Sequence, residues 1–257
     1  MKKYLPLALI PILLAMLVII IIDNKKEIES KVLTINTNNS YLYSRDSTID
    51  INIYLNNDKH VLTNIDSYDS VYIRNSDSSK VLGLNLIEIL YSHNEEFLKE
   101  NYNSYFLKFD LPNLTNNFYI EDAILDIILI NNETYSFEIG LFSIYYVQNG
   151  YELDWLNIDS KKDSTSDLSI NKIIIETKDE LKDIEEVLIN EFESLNFSYV
   201  NKTLIVTLNS NDNLFINNLP VVIETSSKTF YLNNHTYTKE FNLIQRAANI
   251  LNIYEIN

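Results

Sequence analysis

Cysteine is absent from this 257-residue sequence, and glycine is nearly so, with only Gly83, Gly140 and Gly150. Without cysteine the chain forms no disulfide and offers neither a thiolate nucleophile nor a thiolate metal ligand. Phosphate-binding loops, dinucleotide-binding turns and nucleophile elbows need glycine where the backbone turns sharply or approaches a ligand. The three isolated glycines match none of these patterns, so the sequence argues against enzymes that depend on them.

Positive charge is also scarce. The chain has 20 lysines and arginines against 36 aspartates and glutamates, which gives a formal net charge of −16 at pH 7. Proteins bind nucleic acids through basic faces that neutralise phosphates, and basic patches likewise attract anionic lipid. We therefore expect no nucleic-acid partner and no adhesion of the folded part to anionic lipid.

Catalytic residues form no motif that the sequence alone reveals. The three histidines, His60, His93 and His235, lie far apart, and no pair has the spacing of metal ligands. A triad of His93 with a serine and a carboxylate would have to assemble in three dimensions, which the sequence neither supports nor excludes. Because carboxylates are so numerous, a pair at glycosidase separation would arise by chance. We predict no catalytic residue and no cofactor.

Three acidic loops carry oxygen ligands of the kind that calcium prefers, at residues 66–70, 75–79 and 209–213. They lack the twelve-residue spacing, the central glycine and the final glutamate of an EF-hand loop. Hydrated loops are the simpler interpretation, and a structural calcium site stays an open alternative.

An apolar segment near the start of the chain predicts a membrane anchor. Leu5 to Ile22 contains 18 residues without a charge, and as a helix it would extend roughly 27 Å, close to the thickness of a bilayer core. The segment ends in four isoleucines and is followed by Asp23, instead of the small residues of a signal-peptidase site. We predict that residues 1–27 form an uncleaved, single-pass signal anchor. A cleaved signal peptide and a buried helix are the alternatives.

The orientation of this anchor is weakly marked, because lysines lie on both sides of it. The short leading tail favours a cytoplasmic N-terminus. We therefore expect the protein in the cell membrane, with the domains that follow the anchor outside the cytoplasm.

Alternation of apolar and polar residues dominates the next part of the chain and predicts a mainly β fold. Ile49, Ile51 and Ile53 alternate with polar residues, and two β-rich runs flank a turn at Asn131–Asn132. Asparagine tolerates positive φ, so it can replace the missing glycines in turns. The regular spacing of short strands predicts an antiparallel, immunoglobulin-like sandwich over residues 30–148.

A polar stretch near residue 149 predicts the start of a second β-rich domain, 149–257, with one or two helices. Capping boxes at Ser92 and Thr177 favour helix starts, and the apolar spacing after Thr177 predicts a helix over residues 178–195. The segment from Phe241 to Leu251 also has helical spacing, although it could extend a strand.

Aromatic residues cluster around this boundary and give the candidate interaction patch: Tyr145, Tyr146, Tyr151 and Trp155. Such residues bind partners well because they bury much area and keep a polar group, although packing between domains would also explain them. Together these features predict a membrane-anchored, non-catalytic binding or scaffold subunit with a protein partner in the membrane or envelope. An anchored envelope hydrolase using carboxylates and a structural spacer are the alternatives.

Overall fold

The structure is a computed structural model that describes residues 29–43, 48–146, 150–161, 171–189, 193–207, 215–218, 220–232, 243–247 and 249–256. Strands dominate these ranges, so the prediction of a mainly β fold is confirmed. The predicted anchor, residues 1–27, lies outside the described residues. Within those that are described, no helix is both long enough and apolar enough to cross a membrane.

Most of the first eight strands follow the alternation in the sequence, whereas the second is buried along nearly its whole length. In the third of them, Ile49, Ile51 and Ile53 are fully buried while Asp50 between them is exposed, as expected for a strand with one face on a core. Two 3-10 turns, Val61–Thr63 and Ile65–Ser67, connect the third strand to the fourth. The strands are β1 (Ser30–Ile35), β2 (Thr37–Tyr43), β3 (Thr48–Leu55), β4 (Tyr68–Arg74), β5 (Val81–Phe97), β6 (Glu100–Asp110), β7 (Phe118–Leu129) and β8 (Thr134–Tyr146).

These strands form two faces of a sandwich. One face has the order β1-β3-β6-β5 and the other has the order β2-β8-β7-β4-β5, because the long strand β5 leaves β4 after Leu84 and continues beside β6. Strand β2 runs parallel to β8. Strand β1, which precedes β2 in the sequence, lies in the other face and runs antiparallel to β3. This strand order is that of an immunoglobulin-like sandwich. The predicted sandwich is therefore confirmed, except that the pair β2–β8 is parallel and not antiparallel.

The core lies between the two faces. Ile51 and Leu107 from one face and Leu125 and Phe142 from the other are at most 1% exposed and belong to a single apolar cluster. Each such side chain contributes about 1.5–3 kcal/mol by leaving water. The core therefore fixes the sandwich without disulfides.

The rest of the described chain forms a second, smaller sandwich and a returning end. One sheet has the order β10-β11-β15-β14 and the other has the order β13-β12-β17-β18-β9. Ile173, Ile175, Val187, Leu204 and Ile223 are fully buried between them. The strands are β9 (Tyr151–Glu152), β10 (Trp155–Lys161), β11 (Lys172–Thr177), β12 (Ile184–Ile189), β13 (Glu193–Ser194), β14 (Asn196–Val200), β15 (Thr203–Thr207), β16 (Phe215–Asn218), β17 (Val221–Thr225), β18 (Thr229–Leu232) and β19 (Leu251–Ile256).

The predicted helix over residues 178–195 is wrong, because this segment contains β12 and β13. Its β-branched residues favour a strand, and Val187 faces the core of the second sandwich. Thr177 does not cap a helix: its Oγ1 donates to the carbonyl oxygens of Asp179 (2.7 Å) and Lys202 (3.1 Å). The capping box at Ser92 is also misleading, because β5 runs on to Phe97.

The end of the chain returns to the first sandwich. A single helical turn, α1 (Leu243–Arg246), is followed by β19, so within its described residues the predicted segment from Phe241 to Leu251 contains one helical turn. Strand β19 pairs antiparallel with β1 from Ser30↔Ile256 to Ile35↔Leu251, and β16 pairs with β2. A division at residue 149 therefore does not assign this end correctly, because its partner strand lies at the other end of the chain.

Candidate interaction site

The structure places the four predicted patch residues in two groups. Tyr145 and Tyr146 end strand β8 and are half-buried, and the ring of Tyr146 lies 5.5 Å from that of Tyr43. Tyr151 and Trp155 belong to the second sandwich and are 58% and 43% exposed. The second pair is therefore the part of the prediction that presents its aromatic surface to solvent.

Leu156 follows Trp155 in β10, is also exposed, and was missed from the sequence. It is 64% exposed, because the pairing of β10 with β11 shifts register between Trp155 and Asn157 and leaves Leu156 out of the ladder. Two adjacent apolar residues cannot both face the same core in a regular strand, and this was the available signal. We call Tyr151, Trp155 and Leu156 the junction patch.

The backbone under the junction patch is held at several points. The amide of Leu153 donates to the carbonyl oxygen of Tyr231 (2.7 Å), and the amide of Lys178 donates to that of Asp154 (3.0 Å). The side chain of Leu153 is buried in the second core. The exposed side chains of the patch therefore project from a fixed segment.

Two lysines and one carboxylate lie beside the patch. The Nζ atom of Lys228 lies 4.9 Å from the centroid of the Tyr151 ring, which also packs at 6.2 Å from Phe230. Asp154 and Lys178 form an exposed ion pair at 3.4 Å, an arrangement that contributes about 0–1 kcal/mol. The patch thus combines apolar area with charges that remain hydrated.

A second cluster of polar residues lies in a bulge of β5. The register with β6 shifts between Tyr91 and Asn94, and Ser92 and His93 occupy the extra positions. The Oγ of Ser92 lies 3.0 Å from Nδ1 of His93, and Nε2 of His93 lies 2.7 Å from Oε1 of Glu95. The structure therefore brings His93 together with a serine and a carboxylate, which the sequence left open.

Glu95 fastens the end of the chain to this bulge. Its side chain is 1% exposed, and its Oε2 accepts the amide N–H of Ile244 at the start of α1 (2.8 Å). Ile244 is fully buried beside Leu33 and Tyr54. Burial, with a smaller contribution from the Glu95 carboxylate, raises the pKa of Tyr54 well above its usual range. A buried carboxylate with both oxygens hydrogen-bonded has a structural role that needs no reaction.

A shallow cleft opens elsewhere, where β5 leaves β4. It has a volume of about 370 Å³, and its lining includes Asp69, Tyr72, Leu84, Asn85, Asp110 and Pro112. The Nδ2 atom of Asn85 donates to Oδ2 of Asp110 (3.1 Å). This volume is at the lower end of the range for small-molecule sites, so the cleft fits one side chain better than a large ligand.

The loops considered for calcium are only partly described. In the loop 75–79, Oδ1 of Asp77 accepts the amide N–H of Ser79 (2.8 Å), and hydrogen bonds from Ser79 hold the pKa of Asp77 below its usual range. Of residues 66–70, the first two belong to the second 3-10 turn and the other three begin β4, and residues 209–213 lie outside the described ranges. Among the residues that the structure describes, no three histidines or carboxylates are grouped as metal ligands.

Comparisons with known proteins give no family. No protein-family model matches the sequence, and no curated protein matches it. Among solved structures, the chain is distantly similar to a marsupial T cell receptor, with 11% identity and a TM-score of 0.26 over 81% of this chain and 62% of that one. The chain thus spans less than two thirds of that receptor chain.

Two further structures show the same level of likeness. One is the mouse coronavirus receptor-binding domain complexed with its murine receptor, with 9% identity and a TM-score of 0.22 over 80% of this chain and 98% of that one. The other is the D00-D0 domain of Intimin, with 13% identity and a TM-score of 0.17 over 80% and 100%. At such scores the likeness carries no argument about function.

Proposed function

We propose that this protein is a membrane-anchored binding subunit that acts outside the cytoplasm without catalysis and contacts a protein partner through the junction patch. The observation that carries the proposal is the exposure of Trp155 and Leu156 on a backbone that is hydrogen-bonded in place. Clustered aromatic and apolar residues on a fixed surface are typical of interaction sites, because burying them on binding releases water from apolar area.

The anchor is the second element of the proposal, and it is supported by the sequence alone. The apolar segment ends at Ile22, and the first strand begins at Ser30. Even when extended, a connection of this length reaches only about 26 Å. An anchor at Leu5–Ile22 would hold the first sandwich near the membrane and raise its effective concentration beside a membrane partner.

The two alternatives differ from this proposal in what they need. A structural spacer needs no exposed apolar patch, and the junction patch therefore favours a binding role over a spacer role. A hydrolase has a candidate in the chain Ser92–His93–Glu95, whose distances suit proton transfer. However, Oε2 of Glu95 accepts the Ile244 amide, which supports a role in holding α1.

The test uses the full-length protein, purified from its native membranes in mild detergent and analysed by mass spectrometry. We expect an intact N-terminal peptide and a stoichiometric membrane partner. Trp155→Ala and Leu156→Ala should each weaken partner binding, by about 30-fold if the residue is a hot spot of at least 2 kcal/mol.

The matched control is Val200→Ala. Val200 is 64% exposed, as Leu156 is, and lies on a different strand of the same sandwich. The Val200→Ala variant should bind the partner as tightly as the unchanged protein does. Equal binding by all three variants would reject the junction patch, and a chain that begins beyond Lys25 and runs alone would reject the anchored subunit. Loss of a hydrolytic activity in Ser92→Ala, with partner binding unchanged, would favour the hydrolase.

A further inference from the structure

Strand β5 has an open edge along most of its length. Its first residues pair with β4 up to Val71↔Leu84, and from Asn85 to Phe97 it pairs with β6 alone. Within the described part of the chain, the other side of β5 has no strand neighbour after Leu84. The second 3-10 turn and α1 contact β5, and Nε2 of Gln245 donates to the carbonyl oxygen of Glu96 (2.9 Å), so the far end of this edge is partly covered. The backbone groups on that side are the usual template for an added strand.

The side chains on this edge are unusually apolar. Ile87, Leu90 and Tyr91 are 39%, 40% and 59% exposed, and the segment from Asn85 to Phe97 contains neither lysine nor proline, two residues that commonly protect edge strands. The register with β6 shifts between Leu86 and Glu88 and again after Tyr91. These shifts divide the ladder, so the regular run 88–91 is separated from a second one at 94–97. The edge therefore fits a short extended segment and not a long strand.

The cleft beside β4 lies at the start of this edge and adds a charge preference. Asp69 and Asp110 contribute to its lining together with the apolar side chains of Leu84 and Pro112, and no lysine or arginine lines it. A lysine or arginine side chain can lay its apolar stem along such walls while its cation contacts carboxylates. The net charge of −16 adds long-range attraction for a basic partner.

The spacing of these features defines the ligand further. Asn85 lines the cleft, and the regular edge begins at Glu88. Leu90 lies five positions after Asn85, which corresponds to about 17 Å of strand. Because a lysine or arginine side chain itself covers part of this distance, a bound segment would place that residue two to four positions from the apolar residue that contacts Leu90.

We propose that the open edge of β5 and the adjacent cleft bind a short extended segment of a partner protein by strand addition. One lysine or arginine of that segment occupies the cleft between Asp69 and Asp110, and an apolar residue contacts Leu90. Main-chain hydrogen bonds give such complexes their affinity, and the side-chain sites give specificity. This site is separate from the junction patch and does not depend on it.

The test is fluorescence polarisation with the full-length protein in mild detergent. The probe is the labelled peptide Ser-Lys-Thr-Val-Thr-Val-Ser, and the comparison peptides carry glutamate in place of lysine or N-methyl groups on both valines. We expect saturable binding of the lysine peptide at or below about 1 mM, and at least about tenfold weaker binding of both comparison peptides.

Protein variants then locate the site. Asp110→Asn removes one charge of the cleft and keeps an oxygen for Asn85, so it should weaken the lysine peptide about fivefold or more. Asp159→Asn makes the same change on the exposed face of β10 and should have no effect. Trp155→Ala should also leave peptide binding unchanged, which separates this inference from the proposed function.

Three results would overturn the inference. The lysine and glutamate peptides could bind equally, Asp110→Asn could bind the lysine peptide as the unchanged protein does, or no peptide could bind at about 1 mM. A second copy of the chain is the competing occupant of the edge. Self-association in sedimentation experiments, together with a disulfide-linked dimer of Leu90→Cys, would assign the edge to that copy and reject the peptide site.

Discussion

Replacing Gly140 by alanine should destabilise the first sandwich, because this glycine lies where two strands meet. It pairs with Thr37 of β2 and has a φ of +90°. A Cβ atom at Gly140 would lie 2.7 Å from the amide nitrogen of Thr37 and 3.0 Å from the carbonyl carbon of Asn36, and closer still to the carbonyl oxygen of Thr37. These are backbone atoms, so no side chain can rotate away to make room.

The size of the effect follows from two costs. A side chain at positive φ costs roughly 1–2 kcal/mol, and displacing a packed neighbour costs typically 1–3 kcal/mol. We therefore expect Gly140→Ala to lower the free energy of unfolding by about 2–5 kcal/mol. With a urea dependence of about 2 kcal/mol per M, the midpoint should fall by about 1–2.5 M.

Gly83→Ala is the matched control, since the nearest atom to its added Cβ would be Cε1 of Tyr72 at 3.8 Å, an ordinary contact. It should change stability little or raise it by up to about 1 kcal/mol. The assay is urea denaturation followed by circular dichroism, with hydrogen exchange of peptides from β2 and β8 to locate the change. Equal midpoints for the two variants would refute the argument that Gly140 is required by the approach of Thr37.

Two other perturbations test the buried polar groups. Glu95→Ala removes the acceptor of the Ile244 amide and the partner of His93. It should therefore lower the free energy of unfolding by about 3–5 kcal/mol and the hydrogen-exchange protection of β19 by more than about 100-fold. Glu95→Gln should lower this protection far less, and equal protection in both variants would contradict the role of Glu95. Burial raises the pKa of Tyr54 and of Tyr68 above the ordinary value of 10.0. As the pH rises, these tyrosines therefore ionise in the unfolded chain before they ionise in the folded protein. The stability that is complete below about pH 10 should fall above it by up to about 1.4 kcal/mol per pH unit for each tyrosine. Urea midpoints at about pH 9 and pH 11 with phenolate absorbance measure this loss, and an unchanged midpoint would contradict it.

The strands were predictable where local residues alone decide them. Ile49, Ile51 and Ile53 alternate with polar residues and form β3, and the turn predicted at Asn131–Asn132 joins β7 to β8 with Asn132 at a φ of 69°. Here asparagine takes the positive φ that glycine would normally supply. Alternation and turn chemistry agree in these segments, so the sequence pattern was sufficient.

The β5–β6 hairpin was missed for the opposite reason. Its turn is Leu98–Lys99, with φ values of 50° and 68°, and neither residue is a usual turn former. The neighbouring residues Ser92 and Glu95 imitate a capping box, although Glu95 in fact binds the amide of Ile244 about 150 positions later. A local signal cannot reveal such a partner.

The same limit explains why half of the candidate site was predictable. Trp155 and Tyr151 were found because exposed aromatic residues near a polar boundary are conspicuous, whereas Leu156 is exposed only through a register shift with β11. The open edge of β5 is a property of the sheet as a whole. It exists because β4 ends its pairing at Leu84, and the sequence of β5 alone does not show this.

The return of the chain to the first sandwich has a cost that its contacts can offset. Asn252 bonds Asn36 across 216 positions of sequence, and closing so long a loop costs about 2 kcal/mol more than closing one of about 20 residues. Burial of Ile244 and Ile256 contributes about 3–6 kcal/mol. Because this gain exceeds the loop cost, the second sandwich is attached to the first at both of its ends, through β8 and through α1 with β19. Two attachments restrict its movement more than a single linker would, and a patch on its surface is then presented to a partner with less orientational freedom to lose on binding.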